Sequence, residues 1–140
     1  MNIYMLGFSI ALTVSTVFIY GRKKAWLNST IKWGLASVVF IVGLIGLLYF
    51  NKLDKMKLIF SYHLTIPFLT LIIDEIFKRF SYYIHGRDFY LYLTHSDEID
   101  NSIFGKNPHI KFSDIAFSFA LFLFAWFSTI FGYEFFFGSI

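Results

Sequence analysis

A chain of 140 residues that is 57% hydrophobic, 23% aromatic and only 15% charged lies far from the roughly 25% charge usual in soluble domains. Water is the wrong solvent for such a surface, and four membrane-length helices with their connections would use up the whole length, so a single domain is expected. The formal net charge of +3 is small, and the lack of cysteine excludes disulfides, thiolate metal sites, cysteine nucleophiles and palmitoylation.

Residues 2–20 contain no acidic, basic or histidine side chain, and a helix needs roughly 20 such residues to cross a hydrocarbon core of about 30 Å. Arg22, Lys23 and Lys24 follow this run instead of preceding it, which is the pattern of an uncleaved anchor with its N-terminus outside the cytoplasm. Gly7, Ala11 and Ser15 recur at four-residue spacing, a stripe of small side chains that lets another helix approach closely. Tyr20 and Gly21 mark an interfacial aromatic and a C-cap.

The second span covers 33–51. Trp33 opens it, Tyr49 and Phe50 close it, and Gly34, Gly43 and Gly46 are packing notches. Residues 51–57 are too few for anything but a tight helical hairpin, so the second and third spans must be antiparallel neighbours.

The third span, 58–77, carries His63 in an otherwise uncharged stretch to Ile73. At about 100° per residue, Thr70, Asp74, Ser81 and His85 fall within about 40° of His63, so an unbroken helix would present one polar stripe from mid-membrane into the cytoplasm. Pro67 lies on the same side and removes one backbone hydrogen bond. Ionisable groups at this depth are costly and often mark proton or ion paths, with His63 able to pass a proton toward Asp74. The plainer alternative is a hydrogen bond from His63 to a hydroxyl such as Ser9, Thr13 or Ser37.

From 78 to 112 the chain reads as an amphipathic cytoplasmic segment. Phe77, Phe80, Tyr82, Tyr83, Phe89, Tyr90 and Tyr92 would lie along the headgroups. His85-Gly86 is a helix stop, and Asp88 is placed to cap a short helix through Leu93. His95, Asp97, Glu98 and Asp100, with His109 beyond, match no metal-ligand spacing; a solvated acidic turn facing the basic first loop is expected. The fourth span, 115–133, starts with Ser113 as N-cap and Asp114 in the first turn, and Ser118, Ala125 and Gly132 form a seam at seven-residue spacing among six phenylalanines. Glu134 follows at the outer interface.

With four spans and both termini outside, Arg22, Lys23, Lys24, Lys32, Lys78, Arg79, Arg87, Lys106 and Lys111 are cytoplasmic, and Lys52, Lys55 and Lys57 are not. Nine against three satisfies the positive-inside rule. Little proline or alanine beside abundant phenylalanine, isoleucine and lysine suggests an AT-rich bacterial or phage genome, hence a bacterial inner membrane. Phe112-Ser113-Asp114 ahead of an apolar helix resembles the triplet that opens the first pore helix of one potassium-channel family. That likeness covers three residues, Pro108 stands where the family has arginine, and helix capping accounts for the serine and the acid, so no function is carried over.

The expected fold is therefore an all-α integral membrane protein, with four transmembrane helices and an amphipathic cytoplasmic segment between the third and fourth. No nucleophile elbow, phosphate loop or dinucleotide fingerprint is present, and no cofactor, metal or nucleic-acid partner is expected. Two functions fit. One is a structural or accessory subunit that associates in the bilayer with copies of itself or a larger complex; the other is a homo-oligomeric proton or ion channel using the stripe. A membrane-embedded enzyme is a distant third.

Overall fold

The first run of apolar residues coils because nothing interrupts it before Gly21. Helix α1 spans Ile3–Tyr20. The Asn2 side chain accepts the Tyr4 N–H at its start, and the Gly21 N–H donates to the Val17 carbonyl at its end. A single 3₁₀ turn at Ala25–Leu27 then carries the chain to Asn28. Its side chain accepts the Ile31 N–H at 3.0 Å and starts α2, Ser29–Tyr49. Helix α3 is Lys55–His85, and α4 is Phe112–Phe137. This computed structural model describes residues 2–50, 54–99 and 108–138, with the side chains of 135–137 excepted.

All four helices are long and apolar enough to cross a membrane. Their ends differ from the expected spans because hydropathy marks only the lipid-compatible part. Backbone pairing continues through polar turns until a cap stops it. Thus α2 begins at Ser29 rather than Trp33, and α4 at Phe112 with Lys111 as its cap residue, which moves Ser113 and Asp114 inside the first turn. Helix α3 runs through Pro67 to Gly86, whose φ of 67° is the left-handed conformation that glycine adopts freely. Its 31 residues span about 46 Å at 1.5 Å each, well beyond a 30 Å core.

Helix α3 is the central post. It packs on α1, α2 and α4, while α1 also meets α4. Helices α2 and α3 are the neighbours that the short connection requires. Tyr4 of α1 and Thr129 of α4 both approach His63, so the start of α1 and the end of α4 share one end of the bundle. The opposite end holds the basic residues of the first connection and is called the basic end below.

The short helix expected from Asp88 to Leu93 does not form. Residues 87–93 are without helical pairing, and burial alternates along them: Phe89, Leu91 and Leu93 are buried, Tyr90 and Tyr92 only partly. A period of two is that of an extended chain. The three buried side chains join Ile19, Leu121 and Ala125 in one apolar cluster, with Phe77 and Phe117 packed against it. Phe89, fully buried, therefore does not lie along a headgroup surface; Phe80, Tyr82 and Tyr83 are exposed.

Candidate functional site

Folding 87–93 back against the helices forces its neighbours to supply hydrogen bonds, because buried backbone cannot stay unpaired. Side chains do so. Asp114 Oδ1 accepts the Tyr90 N–H at 3.1 Å, Ser118 Oγ accepts the Tyr92 N–H at 2.8 Å, and Glu98 accepts the Leu91 N–H. Ser96 donates to the Leu91 carbonyl, and Tyr20 donates to that of Thr94. The segment is thus a strap sewn to α1 and α4 by polar side chains.

Arg22 is the centre of this end. Its side chain is only 4% exposed, and its guanidinium reaches Asp74 at 2.7 Å, Asp88 at 3.0 Å and the Phe89 carbonyl at 3.2 Å, while stacking 3.7 Å above the Phe89 ring. One cation therefore ties the α1–α2 connection to α3 and to the strap. Burial works against its charge, but the carboxylates of Asp74 and Asp88 more than offset this and hold its pKa above the ordinary arginine value. A second arginine repeats the device: Arg87 grips Asp114 through two bonds of 2.9 and 3.1 Å and also donates to the carbonyls of Asp88 and His109. The Asp114 hydrogen bond raises the Arg87 pKa. The acidic turn faces the basic loop, with Lys23 paired to Glu98 and Lys24 to Asp97. Asp100 lies outside the described residues, and no metal-binding cluster occurs among the described ones.

The five stripe residues sit on the inner side of α3, and each meets a different environment. His63 is 1% exposed, enclosed by the rings of Tyr4, Phe8 and Tyr62; its Nε2 lies 2.9 Å from the Thr129 carbonyl of α4. The partner is thus on α4, not the hydroxyl of Ser9, Thr13 or Ser37 suggested by the sequence. Because a carbonyl only accepts, Nε2 carries a hydrogen, and Nδ1 is buried without a partner. Thr70 donates to the Ile66 carbonyl and lies 3.5 Å from Ser15. Asp74 is held by Arg22, and Ser81 is fully buried with its hydroxyl unpartnered. His85 Nε2 meets Ser113 Oγ at 2.6 Å, joining the end of α3 to the start of α4. The stripe faces protein, yet consecutive members do not hydrogen-bond to one another.

The small residues face inward as well. Ala11 and Ser15 are buried on α1, and an added Cβ at Gly7 would sit 2.9 Å from the Phe60 ring of α3. At Gly43 it would sit 2.7 Å from the Ser61 carbonyl, and at Gly46 it would overlap the Ser61 side chain. On α4, Gly132 leaves room for the Tyr62 hydroxyl, which donates to the Ser128 carbonyl at 3.2 Å; Ser118 and Ala125 are buried. Gly34 is different. Nothing lies within 4 Å of its added Cβ.

In the sequence, Arg22 and Arg87 read only as topology signals and Asp88 only as a helix cap, and nothing marked Thr129. The alternation at Phe89, Leu91 and Leu93 could have revealed the strap, and with it the need for a buried cation beside Asp74 and Asp88. No known protein family, curated protein or solved structure matches the chain.

Proposed function

We propose that the protein is a structural or accessory membrane subunit, acting through association within the bilayer. What supports this is the use to which membrane-depth polarity is put: His63, Asp74 and Asp114 bind neighbouring elements, while the outer face of α2 is left without a protein neighbour. Only Ala36, Gly43 and Gly46 of α2 are buried; Ile31, Leu35, Val38, Ile41, Val42, Ile45 and Leu48 are exposed. Lipid satisfies such a face without any need for glycine. Gly34, at its basic end, gives a partner helix a place of close approach, since small residues drive helix association where hydrocarbon surrounds both sides. The basic end is cytoplasmic in this reading, the membrane is a bacterial inner membrane, and both termini lie outside.

The test is purification in mild detergent with identification of what co-migrates, for the wild type, Gly34→Leu and Gly43→Ala. Gly34→Leu is expected to release the partner, or to dissociate a homo-oligomer, without lowering the thermal midpoint. Gly43→Ala is expected to destabilise the chain itself by about 1–3 kcal/mol, the usual cost of overpacking. A monomer indifferent to Gly34→Leu would contradict the assembly role.

A second reading has one observation in its favour. The lone Nδ1 of His63 is a buried, titratable position, as a homo-oligomeric proton or ion pathway requires. In that case His63→Ala abolishes pH-dependent flux in proteoliposomes and leaves assembly intact.

A further inference from the structure

A cavity of about 220 Å³ opens at the basic end, between the α1–α2 connection and α3. It is smaller than the roughly 300–1,000 Å³ of typical organic-ligand pockets, yet has room for a phosphate group with part of its ester. Five of its lining residues are cationic, Arg22, Lys23, Lys24, Lys32 and Lys78, against Asp74, Glu75 and Asp88.

The pairing within this set is uneven. Arg22 is spent on Asp74 and Asp88, and Lys23 and Lys24 are paired with Glu98 and Asp97. Lys78 reaches Glu75 at 3.8 Å, but Arg79 shares that carboxylate at 3.3 Å. Lys32 has no salt bridge among the described residues. Its ammonium carries three donors, and the hydrogen bond it makes goes to the Arg22 carbonyl at 3.1 Å. Asp74 and Asp88 attract its charge, while Arg22 and Lys78 repel it. A compact anion seated among the three cations would relieve that repulsion and take up the unused donors.

The position indicates what would carry the anion. Trp33, at the start of the α2 apolar run, lines the cavity, and Trp26, 65% exposed, stands on the connection beside it. Tryptophan gathers at headgroup depth, so the opening is level with lipid phosphates. Basic pockets between membrane helices are suited to anionic headgroups.

We propose that this cavity binds the phosphate of an anionic phospholipid, held chiefly by Lys32 and Lys78. The inference goes beyond the assembly role and does not depend on it. Protein exchanged into an equimolar mixture of phosphatidylglycerol and phosphatidylcholine, then stripped progressively of loose lipid, should retain phosphatidylglycerol as counted by native mass spectrometry. Each headgroup-level lysine contributes about a fivefold preference, so Lys32→Gln with Lys78→Gln should lower retention roughly thirtyfold. Lys32→Arg with Lys78→Arg should restore it, and unchanged elution and thermal midpoint show that the fold is intact. Lys111→Gln, outside the cavity lining, should change nothing. Equal loss with Lys111→Gln, or equal retention of phosphatidylcholine, would reduce the effect to diffuse attraction and overturn the site. Inorganic phosphate is the second probe on delipidated protein: if it stabilises the wild type as well as phosphatidylglycerol does, and the lysine variants not at all, the cavity takes a free ion and the lipid assignment fails.

Discussion

Arg22 shows how a residue can be plain in a sequence and its role still hidden. Its charge after an apolar run reads as a signal of topology, but its burial depends on Asp74, 52 positions away, and Asp88, 66 positions away. Helical periodicity placed Asp74 on the inner side of α3; no local pattern says which cation will meet it. Removing one partner of a buried pair strands the other charge, at a cost of about 3–5 kcal/mol, whereas an exposed pair is worth at most about 1 kcal/mol. Arg22→Gln should therefore lower the thermal midpoint in detergent sharply, and Lys24→Gln, whose bond to Asp97 is solvated, should barely move it. Arg22 has a raised pKa in the fold, so its contribution is complete below the unfolded value and lost only as pH rises through the higher folded one. The Arg22→Gln deficit should accordingly stay constant between about pH 7 and about pH 9, far below the arginine range. A deficit equal to that of Lys24→Gln would show that the clamp carries no special weight.

At the scale of elements, the helices were legible and the strap was not. Four uninterrupted apolar runs, with Gly21 and Gly86 as stops, are visible because a helix is a local structure. The strap is held by long-range bonds from Asp114, Ser118 and Tyr20, and its aromatic richness mimics an interfacial helix. Its alternating burial was present in the sequence, at Phe89, Leu91 and Leu93, though five residues of period two are easily outweighed by neighbouring helical signals. Ser118 makes the dependence measurable. Its oxygen accepts the Tyr92 N–H, and its one O–H faces the Asp114 carbonyl at 2.7 Å, with that of Tyr90 at 3.1 Å. Ser118→Ala should leave the Tyr92 amide buried and unpaired at a cost of about 1–3 kcal/mol. Hydrogen exchange should then quicken at Tyr92, while the Tyr90 amide, held by Asp114, stays protected. Equal protection of Tyr92 in both proteins would remove Ser118 from the account.

The whole molecule follows from α3, which outruns a bilayer core and organises the other helices on both sides of itself. The small residues that the sequence marked as helix-packing notches are the seats of α3 side chains: Gly7 for Phe60, Gly43 and Gly46 for Ser61, Gly132 for Tyr62. Spacing alone could not distinguish a partner in the same chain from one in another. The arrangement places the α1–α2 connection and the strap at one end, and the start of α1, the end of α2 and the start of α3 at the other. A chain without native cysteine is well suited to verify this, because any single introduced thiol is unique. The decisive measurement is labelling by a membrane-impermeant maleimide in intact cells and in lysed ones, with Asn2→Cys, Lys55→Cys, Lys24→Cys and Asp97→Cys each introduced singly. The account predicts that Asn2→Cys and Lys55→Cys react in intact cells, and that Lys24→Cys and Asp97→Cys react only after lysis. Reaction of Lys24→Cys and Lys55→Cys from the same side would contradict it.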